Sequence, residues 1–106
     1  MKEKLVEDIR RACEELAVFL RNKRSSDLAQ DRGLQLIVER EFEIIGEAMN
    51  RLYRLDETAF MKIAHGHRII GTRNILAHGY DIIDHRILWD AFQQDIPKLL
   101  DDLQNL

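Results

Sequence analysis

Asp31–Tyr53 reads Asp-Arg-Gly-Leu-Gln-Leu-Ile-Val-Glu-Arg-Glu-Phe-Glu-Ile-Ile-Gly-Glu-Ala-Met-Asn-Arg-Leu-Tyr, and its apolar residues decide the fold class. Leu34, Ile37, Val38, Phe42, Ile45, Met49 and Leu52 recur at three- and four-residue intervals, the spacing of one face of an α-helix. Asp31 (or Ser26 further back) stands where an N-cap is expected, because its carboxylate can accept the unpaired N–H groups of the first turn. Gly46 interrupts the middle of this helix, where glycine costs roughly 1 kcal/mol against alanine. A glycine so placed often marks the close approach of a neighbouring helix.

Working outward, the same period governs the flanks. Leu5, Ile9, Ala12, Cys13, Leu16 and Leu20 form a stripe on a first helix of about 20 residues, and Asn22–Gln30 loses the pattern and reads as a loop. Asp56 is placed to cap a short helix through Ile63. His65-Gly66-His67 reads as a connection, and a further helix runs from about Arg68 to His78 with Gly79 as its C-terminal cap residue. In the last segment Leu88, Trp89, Phe92, Ile96, Leu99, Leu100 and Leu103 share a stripe, with Pro97 expected to kink or restart the helix and Asp95 to cap it. No stretch alternates with period two. The expectation is an all-α fold, an antiparallel four-helix bundle with an additional short helix, occupying residues 1–106 as a single domain.

The chain has 106 residues, 45% hydrophobic and 33% charged, which suits a globular protein with one core. Its net charge of −3 means that any nucleic-acid role must rest on a local patch. No apolar run reaches the roughly 18–20 residues of a membrane span, and the N-terminal residues alternate charge with apolar side chains rather than forming a signal-peptide core. A single cysteine, Cys13, excludes an internal disulfide and makes no thiolate zinc site alone. A cytoplasmic location is expected. Apolar residues beyond the main stripes, such as Leu36, Ile44, Ile69, Ile70, Ile82, Ile83 and Ile87, fit either a wide core face or packing against a second copy.

One segment departs from the overall acidity. Thr58–Tyr80 contains no Asp or Glu but holds Lys62, Arg68, Arg73, His65, His67 and His78. The other 13 Lys and Arg share the rest of the chain with all 19 acids. A phosphate-bearing ligand finds its best site here. Asn74 and His78 lie four apart on one helix face, whereas Arg73 is about 140° round from His78 and must curl toward the helix end to share a site with it. An imidazole is suited to proton transfer near neutral pH, and a guanidinium matches phosphate oxygens. The pair suits metal-free cleavage of an RNA phosphodiester, with histidine moving the proton of the 2′-OH or of the leaving 5′-oxygen. Arginine would stabilise the phosphorane. The competing reading of the same spacing is a capping histidine and a surface arginine.

The stretch Ile70-Gly71-Thr72-Arg73-Asn74-Ile75-Leu76-Ala77-His78-Gly79-Tyr80-Asp81 resembles the R-x4-H-x-Y signature of the HepT-like branch of the HEPN superfamily. Ile44-Ile45-Gly46-Glu47-Ala48, followed by Arg51-Leu52, resembles that family's other recurrent block. The order of elements, Trp89 and the Ile96-Pro97 tail extend the likeness over nearly the whole chain. The resemblance implies a HEPN-like helical homodimer whose motif helices meet in a cleft, forming a metal-independent endoribonuclease with no cofactor. It also implies a toxin neutralised by a minimal nucleotidyltransferase antitoxin that transfers AMP to the motif tyrosine. Carried onto this sequence, Arg73 and His78 would be catalytic, Asn74 and Glu47 supporting, and Tyr80 the AMP acceptor, with RNA as substrate. An alternative in another class is a non-catalytic helical module that docks onto the nucleotidyltransferase and positions its substrate.

Other residues carry plainer readings. Glu47 either pairs with Arg73 or holds the motif helix across the bundle, or else is an ordinary exposed glutamate. His65 and His67 read as loop residues rather than metal ligands, since H-x-H lacks a third ligand nearby. Trp89 and Phe92 read as core, Arg21, Lys23 and Arg24 as a solvated loop, and Cys13 as a small buried residue.

Overall fold

In a computed structural model, residues 1–78 and 83–106 are described, apart from the side chains of Ala77 and His78. Gly79, Tyr80, Asp81 and Ile82 lie outside the described residues, so the expected cap at Gly79 does as well. The described residues form α1 (Lys2–Phe19), α2 (Ser25–Gln30), α3 (Arg32–Leu55), α4 (Glu57–Phe60), α5 (Gly66–His78), α6 (His85–Gln94) and α7 (Ile96–Leu103). None of them is in a strand, and no helix among them is long and apolar enough to cross a membrane.

Helix α3 is the axis of the bundle, with α1 packed along one flank and α5 along the other. Its buried stripe of Leu34, Val38, Phe42, Ile45, Met49 and Leu52 meets Leu5, Ile9, Cys13 and Leu16 of α1 in one continuous core. Asp31 caps α3 as the sequence suggests, its Oδ1 accepting the Leu34 N–H at 3.1 Å. Asp56 likewise accepts the Ala59 N–H at 3.0 Å and starts α4, whose regular part ends at Phe60. Ile63, beyond it, is still buried.

Helix α5 begins at Gly66, so Gly66 and His67 of the expected connection are helical. Two further expectations need correction. Asn22–Gln30 is not all loop: Ser25–Gln30 forms α2, started by the Arg24 N–H donating to Asp27 Oδ2 at 2.7 Å and anchored by fully buried Leu28. A six-residue helix with one apolar anchor leaves no period to read. The second concerns Asp95. The chain does break there, with Pro97 in the first turn of α7, where its missing N–H is harmless. The Asp95 side chain, however, makes no cap hydrogen bond. It faces Arg68 on α5 instead, accepting Nε at 3.1 Å and also pairing with Nη2.

The supplementary apolar residues divide. Ile69 is buried, Ile44, Ile70 and Ile83 pack against the core, and Leu36 and Ile87 remain exposed. Trp89 and Phe92 sit at the core's edge, with their rings 5.8 Å apart.

Candidate active site

The motif helix is placed by glycine, aspartate and threonine. At its start, a Cβ on Gly66 would lie 2.5 Å from the Phe60 ring, so only glycine permits that approach. Buried Asp102 of α7 accepts the Ala64 N–H at 3.0 Å and the Lys98 ammonium at 2.7 Å. These bonds, the backbone one foremost, hold its carboxyl below the usual aspartate range. Thr72 is buried, its hydroxyl donating to the Arg68 carbonyl at 3.2 Å. With Arg68 tied to Asp95, α5 is pinned to the α6–α7 junction.

The closest approach is at Gly46. A Cβ there would stand 2.0 Å from Arg73 Cβ and 2.5 Å from its Cγ, so the stem of Arg73 lies in the space that a side chain would fill. The guanidinium emerges at the rim of the α3–α5 seam, 29% exposed, with Nη2 3.3 Å from Glu47 Oε2. Glu47 Oε1 accepts Arg51 Nε at 3.0 Å, so one carboxylate bridges two arginines. Of the two readings for Glu47, the structure therefore gives the ion pair. This geometry leaves a planar cation partly exposed, fixed at its stem and steered by a carboxylate, as recognition of a phosphate oxygen requires.

Asn74 is exposed, and its Oδ1 lies 3.4 Å from Arg73 Nη1. It thus lies beside the arginine, while its expected contact with His78 falls outside the described side chains. His78 is the last residue of α5; Tyr80 lies outside the described residues. His67 stacks edge-on against Tyr53 and Phe60 at 5.2 and 5.0 Å, at the opposite end of α5 from His78. Among the described residues no group of three His, Cys, Asp or Glu could hold a metal ion.

The sequence reading missed one cluster. His85, the first residue of α6, places Nε2 2.6 Å from Glu39 Oε2, and Arg32 Nη1 lies 3.1 Å from the same oxygen. Both His85 and Glu39 are largely enclosed, at 14% and 13% exposure. The partners are 46 positions apart and belong to no common motif, so no local signal announces them.

Comparison with known proteins follows the same residues. The family described as "Ribonuclease HepT-like" matches residues 9–106. The "Probable ribonuclease HepT" of Thermococcus cleftensis is 32% identical, over 95% of this chain and 91% of its own length. The "Putative RNase MJ1380" of Methanocaldococcus jannaschii is 27% identical, over 92% and 88%. The "Putative RNase TTE0752" of Caldanaerobacter subterraneus subsp. tengcongensis is 31% identical, over 89% and 83%. No solved structure gives a significant match. With the family matched from α1 to the C-terminal residue, across both the Gly46–Glu47 block and the Arg73 helix, the chain belongs to the ribonuclease HepT-like family.

Proposed function

We propose that this protein is a metal-independent endoribonuclease that works as a homodimer, with Arg73 and His78 as its catalytic residues. The observation that carries the reading is the seating of Arg73: its stem occupies the space at Gly46 while Glu47 aims its head at the rim of the seam. The relatives' names, each a ribonuclease, support RNA as the substrate. In the reaction a histidine removes the 2′-OH proton, and the 2′-oxygen attacks phosphorus. The arginine stabilises the charge gathered on the phosphorane. Asn74 and Glu47 support Arg73.

The proposal extends to control. The enzyme acts as a toxin, and a minimal nucleotidyltransferase silences it by transferring AMP to Tyr80. Two residues from His78, an adenylyl group adds bulk and negative charge that repel the RNA backbone. The test is incubation of purified protein with a mixed RNA pool in EDTA, beside Arg73→Ala and His78→Ala, with intact mass checked for an adenylyl adduct. Cleavage by unmodified wild type alone, leaving 2′,3′-cyclic or 3′-phosphate ends, is expected. An unmodified wild type that leaves RNA intact would move the assignment to the docking module.

A further inference from the structure

Cleavage by 2′-OH attack moves two protons, one off the nucleophile and one onto the leaving 5′-oxygen. His78 accounts for one of them within a protomer. The His85–Glu39 pair stands where it can serve the other. Its position follows from the register of α3 against α5. Tyr53 meets His67 ring to ring, and Gly46 meets Arg73. Seven residues back along α3 thus correspond to six forward along α5, as in two antiparallel helices. One further step of seven reaches Glu39, within one residue of the level at which α5 ends at His78. His85 is therefore held at the His78 end of the seam.

The pair is built as an oriented imidazole. Glu39 faces Nε2 at 2.6 Å, and Arg32 donates to the same carboxylate oxygen at 3.1 Å while also bonding Gln35 Oε1 at 3.1 Å. A carboxylate only accepts hydrogen bonds, so Nε2 carries the hydrogen there and Nδ1 is the nitrogen left for exchange. A carboxylate that fixes the ring of a histidine used for proton transfer is a recurring catalytic arrangement.

We propose that His85, oriented by Glu39, is the general acid of the RNA-cleaving site and gives its Nδ1 proton to the leaving 5′-oxygen. The inference rests on the ribonuclease reading above. His78 takes the 2′-OH proton as the O2′–P bond forms. The P–O5′ bond breaks and its electron pair receives the proton from His85. The products are a 2′,3′-cyclic phosphate and a free 5′-hydroxyl, and exchange with water returns both histidines to their starting states.

The test uses His85→Gln, whose side-chain amide can still donate to Glu39 but has no exchangeable equivalent of Nδ1. Wild type and variant are assayed on RNA and on uridine 3′-(4-nitrophenyl phosphate), whose nitrophenolate leaves without a proton. Their melting curves are compared in parallel. The expected result is a loss of about 100-fold or more on RNA, with nitrophenyl ester cleavage within about threefold of wild type and an unchanged melt. A folded variant that loses both activities, or keeps both, overturns the general-acid role while leaving the ribonuclease reading intact. A wild type that cleaves neither substrate overturns both.

Discussion

At position 46 a methyl group has nowhere to go, and at position 71 it has open space. The two glycines lie on facing helices, yet a Cβ at Gly46 would stand 2.0 Å from Arg73 Cβ, while one at Gly71 would meet nothing within 4 Å. Gly46→Ala therefore pushes α5 away from α3, and overpacking of this kind costs about 1–3 kcal/mol. Because the displaced atoms are those of Arg73 itself, RNA cleavage should fall by more than the loss of folded protein explains. Gly71→Ala should instead stabilise the fold by roughly 0.5–1 kcal/mol, since it removes only the entropic penalty of a helical glycine. Urea denaturation with parallel cleavage assays checks both substitutions. Equal stabilities for the two variants would show that the helix contact at Arg73 is not tight.

At the scale of the elements, the seam between α1 and α3 contains a glutamate that burial makes hard to ionise. Glu41 is only 7% exposed, and its carboxyl is pushed up to about 7, first by burial and then by the adjacent Glu15 carboxyl. The native state therefore holds this proton more tightly than the unfolded chain, whose glutamate titrates near 4.5. The resulting stabilisation is complete below pH 4.5 and is lost as pH rises through about 7. Glu41→Gln removes the dependence, so by pH 8 the variant should be more stable than wild type by an amount on the order of 2 kcal/mol. Denaturation midpoints at pH 5 and pH 8 measure this, and parallel slopes for the two proteins would count against it.

What could be read in advance also divides at this scale. The stripe of α3 and the caps at Asp31 and Asp56 were legible because period and capping are local in sequence. Gly46 as a point of helix approach was legible for the same reason, its position within the stripe. The role of Asp95 was not, because a local cap competes with a distant partner, Arg68, 27 positions away. The Glu39–His85 pair lay beyond reach on the same ground.

For the molecule as a whole, the question is what covers the face beside the motif helix. The chain measures 39 × 30 × 20 Å, a flattened body with 6481 Å² of accessible surface. Arg68 and Thr72 of α5 line a groove of about 220 Å³ with Ile87 and Ala91 of α6. Ile75, one turn beyond Thr72 on the same helix face, is 47% exposed, and Ile87 is 42% exposed. Two branched apolar side chains left in water beside the proposed site are what a second copy would bury in a two-fold contact, where the same patch meets itself. A dimer of this kind should give a light-scattering mass of twice 12.5 kDa at micromolar concentration. Ile75→Asp together with Ile87→Asp should return it to 12.5 kDa, because a carboxylate from each copy would then face its counterpart in an apolar contact. RNA cleavage should disappear with the dimer while the helical circular dichroism stays unchanged, since neither side chain belongs to the buried core. A monomeric wild type that cleaves RNA would place the whole site within one chain, and a dimeric double variant would move the contact to another face.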